Sequence, residues 1–323
     1  MTNAIRVHAV GGPDAMQWGP IKIGDPGPGQ VRLRHHAVGL NYIDVYHRTG
    51  LYPQLLPFIP GVEGAGVVEA VGDGVASVAV GDRVAYAGPI GSYAEARLID
   101  AAQLVRLPDT VEMDTAAAMM LQGLTVDMLI NRVRPLAAGE TILVHAAAGG
   151  VGLILCQWAK AIGATVIGTV SSDAKAEVAR THGCDHPIVT GRDDFVAEVL
   201  RITDGKKLPV VYDSVGKDSF VRSLDCLHRR GMLVSFGQAS GPVTDFQPGM
   251  LAQKGSLYLT RPTLYDYIAT RHELEAASEV LFAMVGSGQV RIEIGQRFAL
   301  ADAAAAHRAL EARQTTGSTV LTV

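Results

Sequence analysis

Apolar and polar positions change their rhythm twice along this 323-residue chain. Up to about residue 110 the apolar residues come in short runs separated by Gly and Pro. "QVRLRHHAVGL" (30–40), "GAGVVEAVG" (64–72), "GDRVAYAG" (81–88) and "SYAEARLI" (92–99) predict a mostly-β region with tight turns. From about 124 to 262 the pattern becomes strand then helix, repeated. "TILVHAA" (141–147) precedes "GVGLILCQWAKAIG" (150–163), and "TVIGTV" (165–170) precedes "DAKAEVARTHG" (173–183). "HPIVT" (186–190) precedes "RDDFVAEVLRITDG" (192–205), and "PVVYDSV" (209–215) precedes "DSFVRSLDCLHRRG" (218–231). "MLVSFG" (232–237) and "SLYLTRP" (256–262) close the series. Nearly continuous apolar strands alternating with amphipathic helices predict an α/β fold with a parallel sheet covered on both faces. Residues 264–288 and 301–313 read as helices and "STVLTV" (318–323) as a strand. That tail is expected to return to the first domain.

Length and composition narrow the classes. With 48% hydrophobic residues, the chain can bury a large core, and its length suits two domains. A net charge of −4 gives no basic excess, which argues against nucleic acid as the main partner. The start, "MTNAIRVHAV", has no long apolar segment, so a secretory leader is not expected. Later apolar runs are broken by polar residues and fall short of the ~18 that a membrane span needs. Cys156, Cys184 and Cys226 are odd in number and widely spaced. They suggest ordinary thiols in a reducing cytoplasm rather than a disulfide framework or a metal knuckle.

The stretch "HAAAGGVGLILCQWAK" (145–160) carries the clearest chemistry. It follows the first strand of the alternating series and opens a helix. Ala146, Gly149 and Gly152 fall in an A-x-x-G-x-x-G spacing. Small residues let the backbone approach a pyrophosphate, and the last glycine lets helix and strand pack closely. The helix N-terminus adds N–H groups and partial positive charge. A tight turn with no ligand would show the same glycines, but the flanking strand and helix are the context a dinucleotide requires. Ala148, Gly149, Gly150 and Val151 are therefore candidate cofactor contacts. An NAD site places a carboxylate at the end of the second strand. Here Val170 is followed by Ser171 and Ser172, with Lys175 next on the same loop and Asp173 nearby. Hydroxyls and a lysine suit a 2′-phosphate better than a bare diol, although Lys175 could equally be a solvated residue at a helix start.

"NYIDVYHRTGLYP" (41–53), "PGVEGAGVVEAVGDGV" (60–75), "GDRVAY" (81–86), "VVYDSVGKDSFVRSLDCLHRRGMLVSFG" (210–237) and "QKGSLYLTRP" (253–262), with the glycine turn, resemble the bacterial NADPH:quinone oxidoreductases. These are zeta-crystallin-like, zinc-independent members of the medium-chain dehydrogenase/reductase superfamily. The resemblance covers nearly the whole chain. It implies a GroES-like catalytic domain (1–124 and 263–323), a Rossmann NADPH-binding domain (125–262), a homodimer and a cytoplasmic enzyme. It places Asn41 at the nicotinamide end of the cleft and Lys175 on the 2′-phosphate. It places Ser214, Phe236 and Gly237 along the cofactor, and Arg313 near the adenosine phosphate. Thr190 stands where close relatives have a Tyr that helps hold the adenosine end.

Zinc-dependent relatives carry a Cys where this chain reads "GLNYID" and a His where it has Val62. Their structural-zinc cysteines are also missing. Glu63 alone cannot make a tetrahedral site, so no metal is expected and Glu63 reads as a hydrogen-bonding residue. His35 and His36, adjacent on a strand, should face opposite ways. Without a Lewis acid an unactivated carbonyl is a difficult hydride acceptor, whereas a quinone spreads the charge it receives. Candidate donors to that charge are Asn41, Tyr46 and Tyr52, with Asp44 or Arg48 behind them. Two other readings stay open: reduction of an activated C=C bond in enones or alkenals, and an NADPH-binding protein with a non-enzymatic role.

Overall fold

The computed structural model describes residues 2–323. The chain divides into two compact units. The first is Met1–Leu124 with Thr270–Gly286 and Ile292–Val323; the second is Thr125–Ala269 with Ser287–Arg291. Among the described residues, no helix is long and apolar enough to cross a membrane.

The first unit opens with a hairpin of β1 (Thr2–Val7) and β2 (Met16–Ile21). Its central strand is β3 (Gln30–Leu40). Val31, Leu33, His35 and Ala37 point inward, with Arg34 and His36 exposed, as period-two patterning requires. The alternation then gives way to burial of every residue from Ala37 to Leu40. A short helix, α1 (Tyr42–Thr49), follows and interrupts the β texture. Then come β4 (Glu63–Val71), β5 (Arg83–Ala87), β6 (Ala96–Asp100), β7 (Val105–Arg106), α2 (Met113–Ala117) and α3 (Met120–Asp127). Two apolar clusters hold this unit. One contains Val31, Leu33, Val68, Val84, Tyr86 and Ile99, and the other Ile5, Val7, Val38, Leu40, Phe58 and Tyr93.

The second unit is a six-stranded sheet of β8 (Thr141–Val144), β9 (Thr165–Val170), β10 (His186–Val189), β11 (Leu208–Asp213), β12 (Leu227–Ser235) and β13 (Tyr258–Thr260). Every pairing is parallel, in the order β10-β9-β8-β11-β12-β13. The order reverses direction between β8 and β11, the topological switch point outside which ligands bind in such sheets. The intervening helices are α4 (Gly150–Ile162), α5 (Asp173–Thr181), α6 (Phe195–Ile202), α7 (Phe220–Ser223) and α8 (Gly249–Gln253).

The helix expected over 218–231 is much shorter. After α7 the chain makes one 3-10 turn, Leu224–Cys226, and already enters β12. Leu227 pairs with Leu208, but the next partners are Met232 and Val210. The polar residues His228–Arg230 bulge out between them and stay exposed.

After α9 (Leu264–Tyr267) the helix expected over 264–288 also breaks. It restarts as α10 (Arg271–Gly286) because Thr270 and Glu273 form a capping box. Residues 263–269 and 287–291 group with the second unit. Hydrogen bonds tie both segments there: Arg132 donates to Tyr267 O (3.2 Å), and the Gln157 carboxamide exchanges two hydrogen bonds with the Arg291 backbone, both 2.9 Å.

The last elements are β14 (Ile294–Ala299), α11 (Ala303–Glu311) and β15 (Ser318–Thr322). As expected for the tail, β15 returns to the first unit and pairs antiparallel with β3, Val320 opposite Gly39. It occupies the half of β3 that β6 leaves unpaired. The same return brings Glu311 to α1. Arg48, 1% exposed, is gripped by both Glu311 oxygens at 2.7 and 2.9 Å. Breaking a buried pair strands the remaining charge. Glu311→Ala should therefore destabilise the fold by about 3 kcal/mol, the lower end for such pairs because Glu311 is partly solvated. Urea denaturation of Glu311→Ala against wild type measures this, and a midpoint equal to wild type would refute it.

Candidate active site and cofactor cradle

In the second unit the candidate cofactor residues gather just past the C-terminal ends of the strands. Gly149 is the N-cap of α4, in extended conformation, and no side chain caps this 13-residue helix. Its first-turn N–H groups have no side-chain cap, the condition under which a helix N-terminus can receive an anion. Ala146, at φ +54, turns the chain, and a Cβ on Gly152 would overlap the Ala146 carbonyl oxygen. Gly152 is therefore required by packing, the role expected of the last glycine.

His145 anchors the turn from below. Its Nδ1 lies 2.9 Å from Thr169 Oγ1 and its Nε2 2.8 Å from Ser223 Oγ. Ser223 donates to Ser219 O (2.9 Å), so it accepts from His145 Nε2–H. Burial lowers the His145 pKa and keeps the ring neutral.

At the end of β9, Ser172 Oγ accepts the Lys175 N–H (3.3 Å) and caps α5. Thr190 Oγ1 donates back to Val170 O (3.2 Å), which sets it beside Ser171. Asp173, the carboxylate at this strand end, pairs with Arg192 at 2.9 Å. Past β11 the buried Asp213 accepts from Val215 N, Gly216 N and Ser219 Oγ, and so shapes the turn bearing Ser214. A Cβ on Gly237 would come within 2.6 Å of Ser214 O. Arg261 braces the same turn, donating to Gly237 O at 2.7 Å. Ser214, Phe236 and Gly237 thus meet at one place. His145, Thr169, Asp213 and Arg261 support the cradle and have no signature in the local sequence.

Asn41, Tyr46, Tyr52 and Arg313 belong to the first unit. Asn41 is the N-cap of α1, and the Asp44 carboxylate reaches back to its N–H (2.9 Å), as in a capping box. The Asn41 carboxamide donates to Glu63 Oε2 (2.6 Å) and accepts from Gln122 Nε2 (3.1 Å). Glu63 Oε1 accepts the Leu121 N–H (2.9 Å), and Gln122 Oε1 accepts the Ser318 hydroxyl (2.7 Å). Gln122 and Ser318 escape sequence reasoning because 81 and 277 residues separate them from Asn41.

Burial raises the Asp44 carboxyl to about 7, against hydrogen bonds from Asn41 N–H and the Tyr93 hydroxyl. Tyr46 is buried and Tyr52 half-buried, their rings edge to face at 5.1 Å. Tyr52 N–H donates to Tyr46 O, which ties Tyr52 to α1. Arg313 sits just past α11 at φ +58. His35 and His36 face opposite ways, one buried and one exposed.

These residues do not suit a zinc ion. Both Glu63 oxygens are taken by N–H donors, and Val62 beside it offers no ligand atom. Among the described residues, no group of three or more His, Cys, Asp or Glu could hold a metal. A dinucleotide does suit the second unit, through the uncapped α4 N-terminus and the small residues around it.

Residues 27–109 match the alcohol dehydrogenase GroES-like domain, and residues 150–283 match the zinc-binding dehydrogenase family. A quinone oxidoreductase of Pseudomonas aeruginosa is 55% identical over 323 residues, 99% of each chain. A 2-haloacrylate reductase of a Burkholderia species is 44% identical, again over 99% of each. The crystal structure of Escherichia coli quinone oxidoreductase complexed with NADPH superposes with a TM-score of 0.98 at 46% identity, covering 99% of this chain and 100% of that one. A GroES-like β unit and a Rossmann-like unit whose described residues lack a zinc ligand set, with such relatives along the whole length, make this chain a member of the zeta-crystallin-like, zinc-independent quinone oxidoreductase family of medium-chain dehydrogenases/reductases.

Proposed function

We propose that this chain is an NADPH:quinone oxidoreductase that works without a metal and takes a small-molecule quinone as hydride acceptor. The observation that carries the reading is full-length likeness to quinone oxidoreductases, one of them complexed with NADPH. NADPH, when bound, supplies the hydride, and its nicotinamide carries the redox chemistry.

The chain's own residues bind and orient. Ala148, Gly149, Gly150 and Val151 at the α4 N-terminus receive the pyrophosphate. Ser171, Ser172, Lys175 and Thr190 receive the adenosine end, with Arg313 contributing charge. Asp173 is tied to Arg192, which leaves hydroxyls and a lysine to meet a 2′-phosphate. Ser214, Phe236 and Gly237 line the remainder. Asn41, Tyr46 and Tyr52 border the acceptor, and a tyrosine O–H stabilises oxyanion charge as it develops. Solvent supplies the protons. The 44% identity to a 2-haloacrylate reductase favours a second activity, reduction of an activated C=C bond at the same site.

The functional assembly in this reading is a cytoplasmic homodimer, which fractionation against cytoplasmic markers would check. β13 is the last strand of its sheet and leaves Tyr258 56% exposed. Pairing with a twin strand covers such an edge. Light scattering at micromolar protein should give a dimer mass, broken by Leu259→Pro; a monomer would count against it.

Turnover of quinone and enone panels with 4-deuterated NADPH tests the chemistry. Deuterium should leave the cofactor in a single turnover. Tyr46→Phe and Tyr52→Phe should each slow turnover by about tenfold or less, since a neutral hydrogen bond contributes ~0.5–1.5 kcal/mol. Failure of deuterium to leave would reject hydride transfer, and unchanged kinetics in both variants would reject the tyrosines.

Cofactor choice is tested separately. Hydrogen bonds to charged groups contribute about 1.5–3 kcal/mol, so Lys175→Ala should weaken NADPH roughly 10- to 100-fold. NADH affinity should barely change. An equal loss for both cofactors would show that Lys175 does not read the phosphate.

A further inference from the structure

Glu63 is fully buried at the start of β4, and its hydrogen-bond donors, Asn41 Nδ2 and Leu121 N–H, are neutral groups. Burial pushes it up to about 8, opposed by N–H groups of Asn41, Leu121 and Met120 and reinforced by the negative charge of Asp44 on α1. Arg97 of β6 is a nearby cation, donating to Tyr86 Oη at 3.3 Å, while Tyr86, Tyr93, His35 and His307 are neutral. Burial raises Tyr86 of β5 and Tyr93, and lowers His35 of β3 and His307 of α11 to about 3. Arg48 is taken by Glu311. A carboxyl in this setting exists in both forms near neutral pH, and a buried polar group left without a partner is costly.

The neighbours serve both forms. An ionised Glu63 can only accept. Asn41 Nδ2 then donates to Glu63 Oε2 (2.6 Å), Gln122 Nε2 to Asn41 Oδ1 (3.1 Å), and the Ser318 hydroxyl to Gln122 Oε1 (2.7 Å). Every hydrogen bond of the chain is donated toward Glu63. Ser318 has one hydrogen and a second acceptor in reach, Ala118 O at 3.0 Å, which this direction leaves waiting. With a proton from solvent on Oε2, Glu63 must donate. Asn41 then presents Oδ1, its Nδ2 donates to Gln122 Oε1, and Gln122 Nε2 donates to Ser318 Oγ. The Ser318 hydrogen goes to Ala118 O. Only the nitrogen and oxygen of two carboxamides exchange places, and they are nearly the same size. No bond but the carboxyl O–H is made.

We propose that Glu63 is a positioning residue, whose proton reverses the Glu63–Asn41–Gln122–Ser318 chain and so exchanges the donor and acceptor edges of the Asn41 carboxamide. The reversal stands on this geometry alone; its effect on cofactor and acceptor rests on the place proposed above for Asn41.

The test follows 15N-labelled asparagine and glutamine side chains of the ligand-free protein through a pH titration, with Asn41→Ser assigning the Asn41 signals. The Asn41 and Gln122 carboxamides should move together at one midpoint. In Glu63→Gln the side-chain oxygen keeps the Leu121 N–H, so its NH2 faces Asn41 and locks the reversed chain. That variant should hold both carboxamides at the wild-type acid position, apart from any small step from Asp44. NADPH affinity should change by about 2- to 10-fold at the same midpoint in wild type, the worth of one neutral hydrogen bond. It should lose that step in Glu63→Gln. If Glu63→Gln fails to fold, the titration is repeated in Asp44→Asn, where a joint step that persists belongs to Glu63 and its loss overturns the proposal. Carboxamides that do not titrate, or that titrate in full in Glu63→Gln, overturn the proposal. A full titration with flat NADPH affinity leaves the reversal standing and refutes the place given to Asn41.

Discussion

Glu63 can be buried where it is only because Gly39 has no side chain. A Cβ at that point of β3 would overlap both the Glu63 carboxyl and the Ala117 carbonyl oxygen. With the space open, the carboxyl lies against the β3 backbone and collects N–H donors from two directions. The Asn41 carboxamide is thereby fixed at the N-terminus of α1. Since α1 carries Tyr46 and leads directly to Tyr52, one missing methyl group determines where the catalytic candidates stand. Val320 of β15 pairs opposite that same glycine, so Ser318 arrives beside Gln122 by strand register alone.

The second unit solves a different problem. Its cradle needs backbone rather than side chains, so buried polar residues do their work beneath the surface. His145 ties the glycine turn to β9 and α7, and Asp213 organises the turn after β11. Both sit at the ends of the strands that flank the switch point of the sheet, the place where ligands bind in such folds. Buried, fully bonded networks of this kind hold a turn rigidly, which suits a site whose contacts are mostly main-chain N–H groups.

Much of this was legible in the sequence because it is local. The alternating strands and the glycine turn follow from periodicities of two and 3.6 and from small residues at a strand end, whereas the returning tail was implied by the family resemblance. The breaks were harder. Thr270-Arg271-His272-Glu273 carries the capping-box signature that splits 264–288, yet the apolar rhythm runs across it. The bulge at His228–Arg230 follows from register against β11, which no local pattern encodes. The partners of Asn41 come from β4, α3 and β15. Only Glu63 drew notice as a hydrogen-bonding residue, through the missing zinc ligand beside it. Gln122 and Ser318 carry no motif, and their meaning exists only once the chain has closed on itself.

The return of β15 also sets an order of assembly. All six strands of the Rossmann-like sheet lie between Thr141 and Thr260, so that sheet can form from a continuous stretch as it is made. The GroES-like unit cannot be completed that way. Through the making of the entire second unit, β3 lacks its β15 partner and Arg48 lacks Glu311. Half of a central strand and a guanidinium meant for the interior wait in the meantime. The domain that begins first in the chain is the one that finishes last, and the hydrogen-bond chain from Glu63 to Ser318 closes in the same event that seals its sheet.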